Sequence, residues 1–215
     1  GVRRVSPASA GNEGLATLII EGAKFQTGAT LKLIAANNAE ISPIKLEVGN
    51  ARMAAIFDLS GKPAGIYDVS VRNPNNQTAI LDDGFQIING GGYILGSSII
   101  APGETRGGKT RLLFSARNDG LNDALNVPII VKMPSAYTYQ LDRGNFIDFP
   151  AADLPPDAVP SQIPTHFDVD GNRYLMLYAP ILRSRSQVNI GIDLDIPLGF
   201  GGCEIEVQVL PPLAE

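Results

Sequence analysis

From Val188 to Ile196 every second residue is apolar: Val188, Ile190, Ile192, Leu194 and Ile196 alternate with Asn189, Gly191, Asp193 and Asp195. A period of two belongs to a β-strand, whose successive side chains leave opposite faces of the pleat, and a helix cannot gather those five residues onto one side. The segment therefore lies in a sheet with one face on a core and the other toward water. Ile205, Val207 and Val209 repeat the pattern against Glu204, Glu206 and Gln208, as do Tyr67, Val69 and Val71 against Asp68, Ser70 and Arg72. If the two C-terminal strands pair, Asp193, Asp195, Glu204 and Glu206 make an acidic outward stripe, which reads as a solvated face because charged side chains are mostly exposed.

The 215 residues include 23 Gly and 16 Pro, with 44% hydrophobic and 18% charged residues, which suits short strands cut by many turns and is too apolar for a disordered tail. The length is about twice the commonest domain size of roughly 100 to 150 residues. The run Asn89-Gly90-Gly91-Gly92 separates two halves that each carry their own series of alternating segments. The expectation is an all-β chain of two tandem sandwiches, residues 1–88 and 93–215, joined by a Gly-rich linker at 89–92, with little helix.

In the first half, Ser6-Pro7 precedes the strand Leu15 to Ile20, Gly22 marks a bend ahead of Phe25, and Leu31 and Leu33 alternate around Lys32. Pro63-Ala64-Gly65 turns into the Tyr67 to Val71 strand, Asn73-Pro74-Asn75-Asn76 turns the chain back, and Phe85 sits in a closing strand. Ser6-Pro7, the Gly22-x-x-Phe25 spacing, the Pro63-x-Gly65-x-Tyr67-x-Val69-x-Val71-x-Asn73 series and Phe85 resemble the TIG (IPT) immunoglobulin-like family over nearly all of residues 2–88. The resemblance implies an immunoglobulin-like sandwich of a kind found in bacterial surface and secreted proteins, receptor ectodomains, polysaccharide-acting enzymes and some transcription factors. Its motifs fix turns and core positions and imply no activity.

In the second half, Ala101-Pro102-Gly103-Glu104-Thr105 leads into Arg111 to Arg117, and Asn118-Asp119-Gly120 is a turn signal. Val127 to Met133 follows; Pro128 has no amide hydrogen, so this strand is expected at a sheet edge or with a bulge. These pieces and the final pair of strands resemble the bacterial CARDB-like group of immunoglobulin-like adhesion modules. The departure from that group is residues 135–166, where a short link is usual and a long Pro-rich insertion stands here. The resemblances make the expected architecture two tandem immunoglobulin-like β-sandwich domains.

The net charge is −5, and all of it falls in the second half. An acidic surface repels phosphate backbones, so nucleic acid is not an expected partner. No run of about 20 apolar residues exists to cross a membrane as a helix. With one cysteine, Cys203, no intramolecular disulfide forms, and Cys203 reads as a small buried apolar residue. The start at Gly1 suggests a processed product or a piece of something longer.

Candidate sites are few. Tyr139, Phe146 and Phe149 on the Pro-rich insertion form a potential contact surface for a sugar ring or a partner protein; alternatively the insertion covers an open sandwich edge and tucks those rings into its own core. Asp168, Asp170 and Asn172 are spaced like the start of a calcium loop, but Arg173 stands where that loop needs Gly and Ala179 where it needs Glu, so Asp170-Gly171 reads as a hairpin turn. His166 is the only histidine and lies beside the Pro-rich segment, a poor place to hold a catalytic base. The chain is thus expected to be no enzyme, with no metal and no cofactor. The leading expectation is a structural or adhesive segment of a larger bacterial secreted or cell-surface protein, partnered by flanking domains and by another protein or a glycan. An accessory carbohydrate-binding module of a polysaccharide-acting enzyme is the alternative, and an intracellular DNA-binding factor is disfavoured by charge.

Overall fold

The computed structural model describes residues 1–100, 108–142, 165–199 and 204–212. Among them the chain is all-β, with seventeen strands and no helix. It divides into two compact units: Gly1–Tyr93 together with Gly120–Asp123 and Arg183–Arg185, and Ile94–Asp119 together with Ala124–Leu182 and Ser186–Glu215.

The first unit has two sheets. One runs in the order β1 (Val2–Ser6), β3 (Leu15–Gly22), β7 (Arg52–Asp58), β6 (Lys45–Val48); the other in the order β2 (Ser9–Gly11), β9 (Thr78–Ile88), β8 (Gly65–Arg72), β4 (Thr30–Ala35), β5 (Glu40–Ile41). The alternation decides which side chains go inward. Leu18, Ile20, Met53 and Phe57 from the first sheet meet Leu31, Leu33, Tyr67, Val69, Phe85 and Ile87 from the second in one closed core. Burying side chains of this size stabilises by about 1.5–3 kcal/mol each, which is what holds the sheets face to face.

The second unit repeats the plan with its own core. Its sheets run β10 (Leu95–Ile100), β11 (Gly108–Asn118), β16 (Ser186–Ile196), β13 (Thr138–Asp142), and β14 (Thr165–Val169), β15 (Asn172–Leu182), β12 (Ala124–Pro134), β17 (Glu206–Val209). Ile190, Ile192, Leu194 and Ile196 of β16 bury beside Leu112 and Phe114, opposite Val127, Ile129, Val131, Leu175 and Leu177. Asn118-Asp119-Gly120 turns the chain from one sheet into the other, since β11 and β12 belong to different sheets.

Two readings of the second half need correction. The strand carrying Pro128 is not at an edge: β12 lies between β15 and β17 and keeps an unbroken register with β15. The ladder with β17 begins at Ile129, and beside it the Pro128 carbonyl accepts from the Leu210 amide at 2.9 Å. In an antiparallel strand a residue's N–H and C=O point to the same side, so the missing donor faces the end of the β17 ladder, where it forgoes only the terminal bond to Leu210 and leaves the β15 ladder intact. The acidic stripe is also absent: β16 pairs with β11 and β13, whereas β17 pairs with β12 in the opposite sheet. Asp193 instead lies 3.6 Å from Arg111, and Glu206 takes a 2.7 Å ion pair from Lys132.

The run at 89–92, read from sequence as the linker, is grouped with the first unit and hydrogen-bonded within it. Gly90 N–H donates to Asn12 Oδ1 at 2.9 Å, Gly92 N–H donates to Asn122 Oδ1 at 3.0 Å, and the Gly92 carbonyl accepts from the amides of Leu121 and Asn122. Gly91 is required by closeness, because a Cβ there would stand 2.0 Å from Asn122 Oδ1, and Gly90 and Gly92 by their φ of 86° and 90°. Asn122 is buried and gives its amide nitrogen to the carbonyls of Gly11 and Leu15.

Candidate functional site

The insertion at 135–166 begins and ends in strands rather than in loop. Tyr137 is fully buried, β13 forms the edge of one sheet of the second unit, and β14 forms the edge of the other. Phe146 and Phe149 lie outside the described residues, as do Cys203 and the Ala101 to Thr105 motif.

Tyr139 is the described member of the aromatic trio. On β13 it sits opposite Leu194, so it shares the inward parity of that strand and packs, half-buried, against the second core. Its hydroxyl lies 2.9 Å from His166 Nδ1, the two rings meet edge to face at 5.8 Å, and the Arg173 guanidinium stands 5.9 Å from the Tyr139 ring centre. Burial pushes the phenol up from its ordinary value and the Asp168 charge adds to this, with Arg173 opposing. A ring so placed links β13 to β14 at the edges of the two sheets.

Arg173 ties the cluster together. Its Nε and Nη2 donate to the two oxygens of Asp168 at 2.9 Å each, and its Nη1 donates to the Tyr137 carbonyl at 2.9 Å. A guanidinium fork matches a carboxylate in this two-point way. The hydrogen bonds from Arg173 hold the Asp168 carboxyl below its usual range.

The three residues spaced like a calcium loop do not converge. Asp168 is engaged by Arg173, Asp170 and Gly171 form the two-residue turn between β14 and β15 with φ of 48° and 75°, and Asn172 Nδ2 reaches the Asp170 carbonyl at 3.2 Å. Two positive φ angles in succession mark the hairpin turn whose twist matches its flanking strands. His166 pairs with Leu175 across β14 and β15, so it is strand-borne and not part of a loop.

Sequence reasoning missed two features. On the outward face of the β14–β15 sheet, Phe167 and Tyr174 are cross-strand partners with rings stacked at 5.2 Å and 10°. Stacked on each other, each ring gives one face to its partner. In the first unit, the carboxylate of Asp123 is buried, taking a 2.6 Å hydrogen bond from Thr17 Oγ1 and a 2.9 Å one from the Ser184 amide. Burial pushes its carboxyl above the usual range, against those two hydrogen bonds and the Arg183 charge. Neither Asp123 nor Thr17 has a local pattern that announces the pairing.

No protein-family model matches the chain, and no curated protein matches it. Among solved structures, one described as domains CD of its parent protein aligns with 96% of this chain and 98% of its own at 10% identity and a TM-score of 0.29. Another, a protein from Corynebacterium diphtheriae described as membrane anchored, aligns with 96% of this chain at 10% identity and a TM-score of 0.28, and the chain spans 54% of its length. At such values the assignment rests on the residues themselves.

Proposed function

We propose that this chain is a non-catalytic, tandem immunoglobulin-like segment of a larger bacterial secreted or cell-surface protein, acting as a spacer or adhesive, protein-interacting module. The observation that carries the reading is that the residues of the TIG-like pattern work on one another. Gly22 leaves room for the Phe25 ring, whose Cζ would stand 2.4 Å from a Cβ there. The Tyr67 hydroxyl donates to the Pro63 carbonyl at 2.8 Å. Asn73 Nδ2 donates to the Lys24 carbonyl at 3.0 Å while its Oδ1 accepts from the Gln26 amide at 3.1 Å, and Phe85 fills the core. These contacts give the motif a physical reason and support a TIG-like first half; the paired sheets of the second unit support a CARDB-like one with strands β13 and β14 added.

The side chains that looked like chemistry serve the sheets. Tyr139 bonds to His166, and Arg173 bridges Asp168 and a backbone carbonyl. The half-buried Tyr139 ring disfavours the carbohydrate-module alternative as first framed. The test is a panel of fluorogenic esters, glycosides and peptides incubated with wild type and with His166→Ala. Equal, background turnover by both is expected; turnover that His166→Ala abolishes refutes the non-catalytic reading.

A further inference from the structure

We propose that β14 is a pairing edge for a second copy of this chain, joining the second units of two molecules into one continuous sheet through an antiparallel contact of β14 with itself. Among the described residues β14 has a neighbour on one side only, β15, and His166 to Asp170 are all exposed, both those that point inward and those that point outward. Which backbone groups are on offer follows from the turn. Asp170-Gly171 is a two-residue hairpin loop, so Val169 and Asn172 form its first hydrogen-bonded pair and Phe167 and Tyr174 the next. His166 and Asp168 therefore turn their N–H and C=O groups away from β15, toward the open edge. The prolines of β12 agree with this parity. Pro134 and Pro128 stand opposite Asn172 and Tyr178, whose backbone groups face β14 and need no donor from β12.

The edge is complementary to itself. The faces of the joined sheet stay continuous only if residues of equal parity oppose one another, and all five residues of β14 are used only when Phe167 opposes Phe167 of the second copy. His166 then opposes Asp168 of the second copy, and Asp168 its His166. These are the residues with outward backbone groups, so the two strands exchange four main-chain hydrogen bonds. Their side chains match as well. The Tyr139 hydroxyl donates to His166 Nδ1 at 2.9 Å, which leaves the ring proton on Nε2, and no group among the described residues accepts it. Arg173 takes one site on each Asp168 oxygen, and an ionised carboxylate offers about four, so that Nε2–H meets a carboxylate with room to accept.

On the other face Phe167 stacks on Tyr174 at 5.2 Å. Neighbouring strands lie about 4.8 Å apart, so pairing extends the stack into a row of four rings and covers part of an otherwise exposed Phe167. An unrelated strand supplies the main-chain bonds alone; a second copy adds the two His166–Asp168 contacts and the facing ring. Edges of the first unit are blunted instead. Exposed Arg3 and Arg4 stand on β1, and β2 and β5 are three and two residues long, the devices by which sheet edges resist pairing.

The whole chain is tested by sedimentation equilibrium. Five residues span about 17 Å, far less than a standard interface of roughly 1,600 Å² needs, so the expected result is a weak dimer whose mass rises from monomer toward dimer between about 10 µM and about 1 mM. Phe167→Lys and Phe167→Glu each set like charges opposite one another across the two-fold axis and remove the row of rings. Each weakens the dimer at least about tenfold while keeping the wild-type circular dichroism spectrum. Mixed in equal amounts, the two variants oppose Lys to Glu and associate at least about threefold more tightly than either alone, a rescue that requires position 167 to meet itself. Ile66→Lys, an equally exposed change in the first unit, leaves the dimer as it is. Wild type that stays monomeric at about 1 mM, a dimer that survives both single variants, or a mixture no tighter than its parts overturns the pairing. Each of these leaves the non-catalytic reading standing, because the pairing requires nothing of it.

Discussion

Replacing Thr17 by Val keeps the shape of a buried side chain and removes one hydrogen atom that matters. The Thr17 hydroxyl donates to Asp123 Oδ2 at 2.6 Å, while Oδ1 is held by the Ser184 amide at 2.9 Å. Both side chains are over nine-tenths buried, so water cannot replace the lost donor. A hydrogen bond to a charged group contributes about 1.5–3 kcal/mol, and a buried acceptor left without one costs its desolvation, so Thr17→Val is expected to destabilise the first unit by about 2–3 kcal/mol near neutral pH. The pH dependence carries the sharper test. Burial holds the Asp123 carboxyl above the ordinary 3.8 in the folded state. The folded chain therefore binds that proton more readily than the unfolded one. The Asp123 contribution is fully present below the ordinary value and is lost as pH rises through the folded value. Removing the Thr17 donor raises the folded value further, so the gap between wild type and Thr17→Val widens from acid toward neutral pH, and Asp123→Asn removes this slope. Hydrogen exchange at the amides of β3 and β7, read across that pH range, reports the first unit directly. A cost under about 0.5 kcal/mol near neutral pH, or one that does not change with pH, refutes the argument that a buried charge is being held by this hydroxyl.

Three further outcomes are expected. Gly91→Ala drives a methyl into Asn122 Oδ1 and displaces the acceptor of the Gly92 amide, lowering stability by about 1–3 kcal/mol, measured by urea denaturation. Phe114→Ala empties a fully buried site in the second core and costs about 3–5 kcal/mol in the same assay. Asp168→Asn has the opposite pH signature to Asp123. The Arg173 hydrogen bonds hold the Asp168 carboxyl below its usual value, so its contribution is present above 3.8 and lost as pH falls through the lower folded value. The melting temperature of Asp168→Asn should fall below wild type near neutral pH and converge with it in acid.

Much of this was legible because it is local. Alternation at Ile190, Ile192 and Leu194, or at Tyr67, Val69 and Val71, determines by itself which side chains turn inward, since a strand's geometry leaves no other choice. Asp170-Gly171 specifies its own turn, because the positive φ angles it needs suit Asp and Gly. Gly22 with Phe25, and Pro63 with Tyr67, are near enough in sequence for the pattern to carry the contact. What no local pattern contains is the choice of neighbour. Whether Asp193 lies beside Glu206 or beside Arg111 depends on which strands enter the same sheet, and Pro128 is tolerated in an inner strand only because of where the β17 ladder begins. The half-buried Tyr139 and the buried pairing of Thr17 with Asp123 arise in the same way. Residues far apart in the chain acquire their chemistry from burial and from partners, and both are set by the packing of whole sheets rather than by any one segment.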